Sequence, residues 1–217
     1  MSSRRGRAWL AAGIMVATCI PAASAGTYTI DPRDTTANFD VRFLGLVPLH
    51  GKFLRTTGTL VYDRPTRQGS IDVRIDATTL VSDNARAQAL ARGPEFFEVE
   101  KYPSIEFRSS RFVFDASRLK FIEGSLTLVG NTQPVVLTVT DSGCDVATEQ
   151  EPGRCHADAE LVVRRSAFGI RAWARTVSEE VMIRIAITAR QAPEEEPRPE
   201  PSGAGALIAP APLPGAH

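Results

Sequence analysis

Apolar and polar residues alternate along most of this chain with a period of two. Phe39, Val41 and Phe43 alternate with Asn38, Asp40 and Arg42, and Ile71, Val73 and Ile75 with Asp72, Arg74 and Asp76. Val181, Ile183, Ile185 and Ile187 repeat the pattern near the end. A two-residue period puts one set of side chains on each face of a strand, so these segments predict half-buried β-strands. Further strands are expected at Tyr28 to Asp31, from Phe53 to Tyr62, at Ile105 to Phe107, Phe112 to Phe114, Leu119 to Leu128, Val135 to Val139 and Ala159 to Val163. Turn residues separate them, among them Asp31-Pro32-Arg33-Asp34, Asp63-Arg64-Pro65-Thr66 and Gly130-Asn131.

The period changes once. Ser82-Asp83-Asn84 offers side-chain oxygens to free amides, Ala85 to Arg92 is rich in helix formers, and Gly93 can take the left-handed conformation that ends a helix. A helix of about ten residues is expected here. Pro94, the aromatic pair Phe96 and Phe97, expected to be buried, and Tyr102-Pro103 then lead back into a strand. About eight strands with a single helix favour closure into an antiparallel barrel, which leaves no exposed edge. The fold class is therefore all-β, with one short helical insertion plugging an end of the barrel.

The 217 residues hold one such domain. Arg4, Arg5 and Arg7, the apolar run Ala8 to Ile20 and the small residues Ala23-Ser24-Ala25 form the three parts of a secretory signal, expected over 1–25. The apolar run is too short for a stable membrane span, so no membrane insertion is expected after its removal. Arg4-Arg5 also fits the twin-arginine export route, but Gly6 and Arg7 stand where that route takes apolar residues. Cys19 follows Thr18 and precedes the better cleavage site, which argues against lipid attachment. The barrel is assigned to 26–190, and 191–217, dominated by Pro, Glu, Ala and Gly, to a disordered tail.

Composition narrows the function. Three of the 25 basic residues leave with the signal while all 25 acidic ones stay, so the remaining chain is net negative by about three charges, which argues against nucleic acid. Cys144 and Cys155 remain as an even pair in an oxidising compartment, periplasmic or extracellular, and are expected to form a disulfide closing a polar loop. With one neighbouring histidine, His156, they do not make a zinc site, and no metal or cofactor is called for. No Gly-x-Ser-x-Gly elbow, phosphate-cradling loop or His-Glu-x-x-His segment is present. Of the histidines, His50, His156 and His217, only His50 is a candidate site residue.

The apolar phase is the richer signal. Phe39, Val41, Phe43, Phe53, Ile71, Val73, Phe107, Phe112, Phe114, Phe121, Leu126 and Leu128 can line a tube, with Val135 and Leu137 beside them. Such a wall is either a packed core or the lining of a site for an apolar guest, since ligand pockets are mostly apolar with a few orienting polar groups.

Several short segments, in order and spacing, resemble the YceI-like, polyisoprenoid-binding proteins of bacterial periplasms. They are Tyr28-Thr29-Ile30-Asp31, His50-Gly51-Lys52-Phe53 with Gly58, Phe96-Phe97 with Tyr102-Pro103, Gly124-Ser125-Leu126-Thr127-Leu128 with Gly130 and Pro134-Val135, and Arg165-Ser166-Ala167-Phe168-Gly169-Ile170. The resemblance spans Thr27 to Ala189. It implies an extended lipocalin-like barrel, often dimeric and non-enzymatic, that binds a long-chain isoprenoid or fatty amphiphile such as an isoprenoid quinone. Cysteines at Cys144 and Cys155 resemble a subset of the family. Three places depart from it: Asp34 and Phe43 stand where many members carry histidine, and Ala87-Gln88-Ala89-Leu90-Ala91 replaces an Arg-Asp-x-His-Leu run. These losses change the charged groups expected near the mouth.

Three readings follow. The first is a secreted binding protein whose tube holds an amphiphile, with Arg42, His50 or Arg92 near the polar end. The second is a small enzyme acting on an apolar substrate, with His50 and either Asp34 or Glu95 as acid and base. The third is a solidly packed interaction module. An interior cavity of several hundred Å³ separates the third from the others.

Overall fold

The computed structural model describes residues 25–148 and 150–192. The segments expected to be a leader (1–25) and a disordered tail (191–217) lie, but for their inner ends, outside the described residues. The described chain forms one antiparallel sheet of eleven segments: β1 (Gly26–Ile30), β2 (Thr36–Phe43), β3 (Val47–Phe53), β4 (Thr56–Asp63), β5 (Gln68–Asp76), β6 (Leu80–Ser82), β7 (Ser104–Asp115), β8 (Arg118–Leu128), β9 (Asn131–Asp145), β10 (Arg154–Arg164) and β11 (Glu180–Gln191). Three pairs of segments run end to end. Along β11, Ala189 faces Ile30 of β1, and Ala186 then faces Thr36 of β2. In the same way β3 continues into β4, and β5 into β6. Eleven segments thus make the eight long strands of a closed barrel, sealed where β1 pairs with both β4 and β11.

Each break has a local cause. Between β1 and β2, the Asp31 carboxylate accepts the Arg33 amide at 2.9 Å and draws the chain into a turn. Between β3 and β4, the amides of Leu54 and Arg55 leave the ladder and donate to Thr79 Oγ1 at 3.0 and 3.2 Å. Thr79 ends the 3-10 turn Ala77–Thr79 that separates β5 from β6, and Asp76 caps that turn by accepting the Thr78 amide.

Beyond the Asp76–Ser104 pair, β7 has no partner in β6. Helix α1 (Ala85–Arg92) and the turn after it lie beside that opening. Asn84 starts the helix, its side-chain oxygen accepting the amides of Arg86 and Ala87 at 3.0 Å. The helix is two residues shorter than the pattern suggested, and Gly93 ends it extended, at φ −75° and ψ 176°, instead of left-handed. The reason is that the last carbonyls already have partners: Ala91 accepts from the Phe97 amide and Arg92 from the Val99 amide. Gln88 reaches the free edge of β6 and accepts the Ser82 amide at 3.0 Å. Phe96 and Phe97 are half-buried where burial was expected; Val99 is the deeply buried residue of this turn.

Bulges in β7, β8 and β9 set which side chains face inward. Ser110 is skipped in the β7 ladder, so the inward phase passes from Phe107 to Phe112. Lys120 is skipped in β8, so Leu119 comes onto the inward side with Ile122. Phe121 was expected on the lumen wall, but it lies on the opposite phase to Ile122, Leu126 and Leu128 along an unbroken stretch of β8 and so faces outward, 41 % exposed.

Candidate functional site

The barrel encloses a cavity of about 750 Å³. Its wall comes from the inward phase of nearly every strand, and its polar lining is limited to His50, Ser82, Asn84, Arg86 and Arg165. Ser82, Asn84 and Arg86 belong to the β6–α1 junction, so polar groups collect where the helix meets the barrel. Phe39, Val41, Phe43, His50, Phe53, Ile71, Val73, Phe107, Leu126 and Leu128 line this space. Phe112 and Phe114 do not; they line a second chamber of about 310 Å³. Ile71, Ile122, Ala157 and Ile187 line both spaces and form the layer between them.

Phe39, Phe53 and Phe97 meet in a triangle with ring centroids 5.4–5.6 Å apart. Phe97 comes from the turn after α1 and thereby ties that turn to β2 and β3. The Phe39 ring lies directly on the backbone of Gly51: a Cβ there would sit 2.2 Å from the ring. Only glycine gives the ring that seat, which is a physical reason for the His50-Gly51-Lys52-Phe53 segment.

The Cys144–Cys155 disulfide is formed, with an S–S distance of 2.06 Å. The two cysteines are directly opposed on β9 and β10, and both line the second chamber. No helix among the described residues is long and apolar enough to cross a membrane.

His50 sits at the rim with its side chain 57 % exposed and its Nδ1 bonded to Asp40, the residue opposite it on β2. Asp40 also accepts from Arg184, which reaches Glu160 at 3.3 Å. The acid/base partners considered for His50 are engaged elsewhere. Asp34 accepts from Arg190 at 2.8 Å, and Glu95 accepts the Trp173 indole N–H at 2.8 Å. Of the cations expected at the polar end, Arg42 is exposed outside the lumen lining, and Arg92 donates to the carbonyls of Thr78 and Leu80.

Arg165 has a role that residue patterning did not reveal. It is 3 % exposed, and its guanidinium donates to the carbonyls of Ser178 (2.9 Å), Ile170 (3.0 Å), Ala172 (2.6 Å) and Val177 (3.1 Å). One buried cation therefore gathers the whole 170–178 loop at the wall of the lumen. The next residue, Ser166, donates its hydroxyl to Glu179, which holds that carboxyl below the usual carboxylate range. Gly169, left-handed at φ 84°, closes the 3-10 turn Arg165–Phe168, and Phe168 is fully buried. The only sequence signal for this arrangement was the Arg165 to Ile170 segment of the family resemblance. Trp173 and the lumen-facing Leu161, Val163, Ile183 and Ile185 were likewise absent from the candidate wall.

A model of the YceI-like domain matches residues 28–189. A UPF0312 protein of Vibrio cholerae is 32% identical over 132 residues, 59% of this chain and 70% of the relative. A UPF0312 protein of Pseudomonas savastanoi is 30% identical over 124 residues, 56% of this chain and 65% of the relative. Among solved structures, Burkholderia cenocepacia BcnA superposes with a TM-score of 0.61 at 22% identity, covering 73% of this chain and 98% of that one. A polyisoprenoid-binding domain from Saccharophagus degradans superposes with a TM-score of 0.56 at 14% identity, covering 76% and 98%. These likenesses show the same fold.

Proposed function

The chain belongs to the YceI-like domain family, and on that premise we propose that it is a non-enzymatic binding protein holding a long apolar amphiphile inside its barrel. The isoprenoid or fatty chain of the guest lies along the aromatic and aliphatic wall, and its head group lies toward Ser82, Asn84 and Arg86. The observation that carries this reading is the cavity itself: about 750 Å³ of space with five polar residues in its lining. Burying a chain of about twelve methylenes there gains roughly 10 kcal/mol, enough to outweigh the lower estimates, about 4 kcal/mol, of the cost of association. A structural neighbour described as polyisoprenoid-binding shares the fold. The leader pattern at 1–25 and the disulfide support a periplasmic or secreted location. The separate placements of His50, Asp34 and Glu95 favour binding over acid/base catalysis within the barrel, because proton transfer needs groups within about 3 Å of one another.

Titration of the purified protein with an isoprenoid quinone and with a saturated fatty amide tests the proposal. Saturable one-to-one uptake of either is expected. No uptake of both, by a protein shown to be folded, would overturn it.

A further inference from the structure

One end of the barrel carries an apolar surface that the interior does not need. At the β2–β3 hairpin tip, Leu44, Leu46 and Val47 are exposed, Leu46 to 85 %. Beside it the 170–178 loop exposes Trp173. The two loops are knitted together: the Leu44 amide donates to the Thr176 carbonyl at 2.6 Å, Phe43 bridges to Val177, and the Ser178 amide donates to the Arg42 carbonyl at 2.8 Å. Both tips hold a bulky residue in left-handed backbone, Leu44 at φ 51° and Trp173 at φ 55°. That conformation is costly for such residues and persists only where the surroundings impose it: around Trp173 through the carbonyls gathered by Arg165, and at Leu44 through the tight hairpin turn it shares with Gly45. The patch is continuous with the lumen, because Phe43, Val47 and Trp173 also line the cavity.

The two loops that form the patch carry charge of one sign. Residues 42–49 and 169–178 include Arg42, Arg171 and Arg175 and no Asp or Glu, although the chain beyond the leader is net negative. All three arginines are exposed and make no salt bridge among the described residues. The nearby Glu95 is held by the Trp173 indole. Exposed Leu and Trp side chains ringed by arginines match the boundary of an anionic bilayer, where apolar groups enter the acyl region, Trp sits at the headgroups and each cation is attracted to the surface.

We propose that this rim docks on the surface of an anionic phospholipid membrane, so that the mouth of the lumen opens onto the bilayer and an apolar chain passes between them without crossing water. The purpose given to docking rests on the carrier reading; the docking itself does not. The test uses the full chain carrying Trp9→Phe, which leaves Trp173 as the single tryptophan. It is mixed with vesicles of brominated phosphatidylcholine, with or without 30 mol% phosphatidylglycerol. A blue shift and quenching of Trp173 are expected with the anionic vesicles alone, and added salt should reverse them. The double substitution Arg171→Gln, Arg175→Gln should weaken the partitioning by about 25-fold, about fivefold for each charge. Leu46→Asp should weaken it further, and none of these residues lines the cavity, so all variants should keep alkyl-chain binding.

Trp173 emission unchanged by anionic vesicles would overturn the proposal. So would shielding of Trp173 that tracks protein concentration and dimer mass, which would make the rim a contact between copies. Vesicle quenching together with an empty lumen would sustain docking and reject the carrier reading instead.

Discussion

Narrowing the lumen by a known amount should shorten the chain it accepts by a known amount. Ala159 lies on β10 between Val139 and Ile185, is buried, and lines the cavity. Ala159→Leu adds three carbons to that wall, the atoms of three methylenes. Excluding three methylenes of guest at about 0.8 kcal/mol each costs about 2.4 kcal/mol, roughly 60-fold in Kd. The assay is calorimetric or displacement titration with straight-chain fatty acids of increasing length. The native protein should bind about fourfold more tightly for each added methylene until the lumen is full. The variant should follow the same slope, level off about three carbons earlier and bind the longest chains about 60-fold more weakly. Its melting temperature should not fall, because the new side chain fills space already present. Val162→Leu, on the outward face of the same strand, should leave the series unchanged. An Ala159→Leu protein with native affinity and native chain-length limit would show that the guest does not occupy this lumen.

Four other outcomes follow from named contacts. Phe121→Ser should leave alkyl-chain affinity within twofold of native, by the same titration, because the ring faces outward. Gly51→Ala drives a methyl into the Phe39 ring and should cost about 1–3 kcal/mol in urea unfolding, with weaker ligand binding as that ring swings into the cavity. Replacing Cys144 and Cys155 together by alanine removes a crosslink across 11 positions and should lower stability by about 3 kcal/mol in the same assay; an unchanged midpoint would contradict this. The Glu179 carboxyl titrates below its usual range because Ser166 donates to it, so its contribution is fully present above the unfolded-state pKa and is lost as pH falls through the lowered folded value. Glu179→Gln should therefore flatten that part of the acid-unfolding profile, and an unaltered profile would show that this carboxyl contributes nothing there.

The barrel could be read from the chain because its strands are half-buried: inward Phe39, Val41 and Phe43 alternate with outward Asn38, Asp40 and Arg42, and periodicity reports such burial directly. Three other features were hidden for physical reasons. A bulge leaves no mark in hydrophobicity, so the shift at Lys120 that brings Leu119 inward with Ile122 could not be seen along β8. The division of the interior into two chambers depends on how Ile71, Ile122, Ala157 and Ile187 meet across the barrel, which strand phase does not encode. Arg165 stands in a segment with no clear alternation, so nothing in the pattern marks it as buried. Its burial is possible only because four carbonyls from residues 170–178 converge on it, a long-range fact of the folded loop. The helix was visible through Asn84 and the alanine-rich run, whereas its ending was misread at Gly93 because the following turn supplies partners for its last carbonyls.

Native mass spectrometry of the protein taken from its native source, without detergent or organic solvent, bears most directly on whether the lumen is occupied. A single adduct per barrel, released by solvent and identified as a long-chain isoprenoid or fatty amphiphile, is the predicted result. Protein at its bare mass throughout, which also stays bare after exposure to the same extracted lipids, would contradict the account.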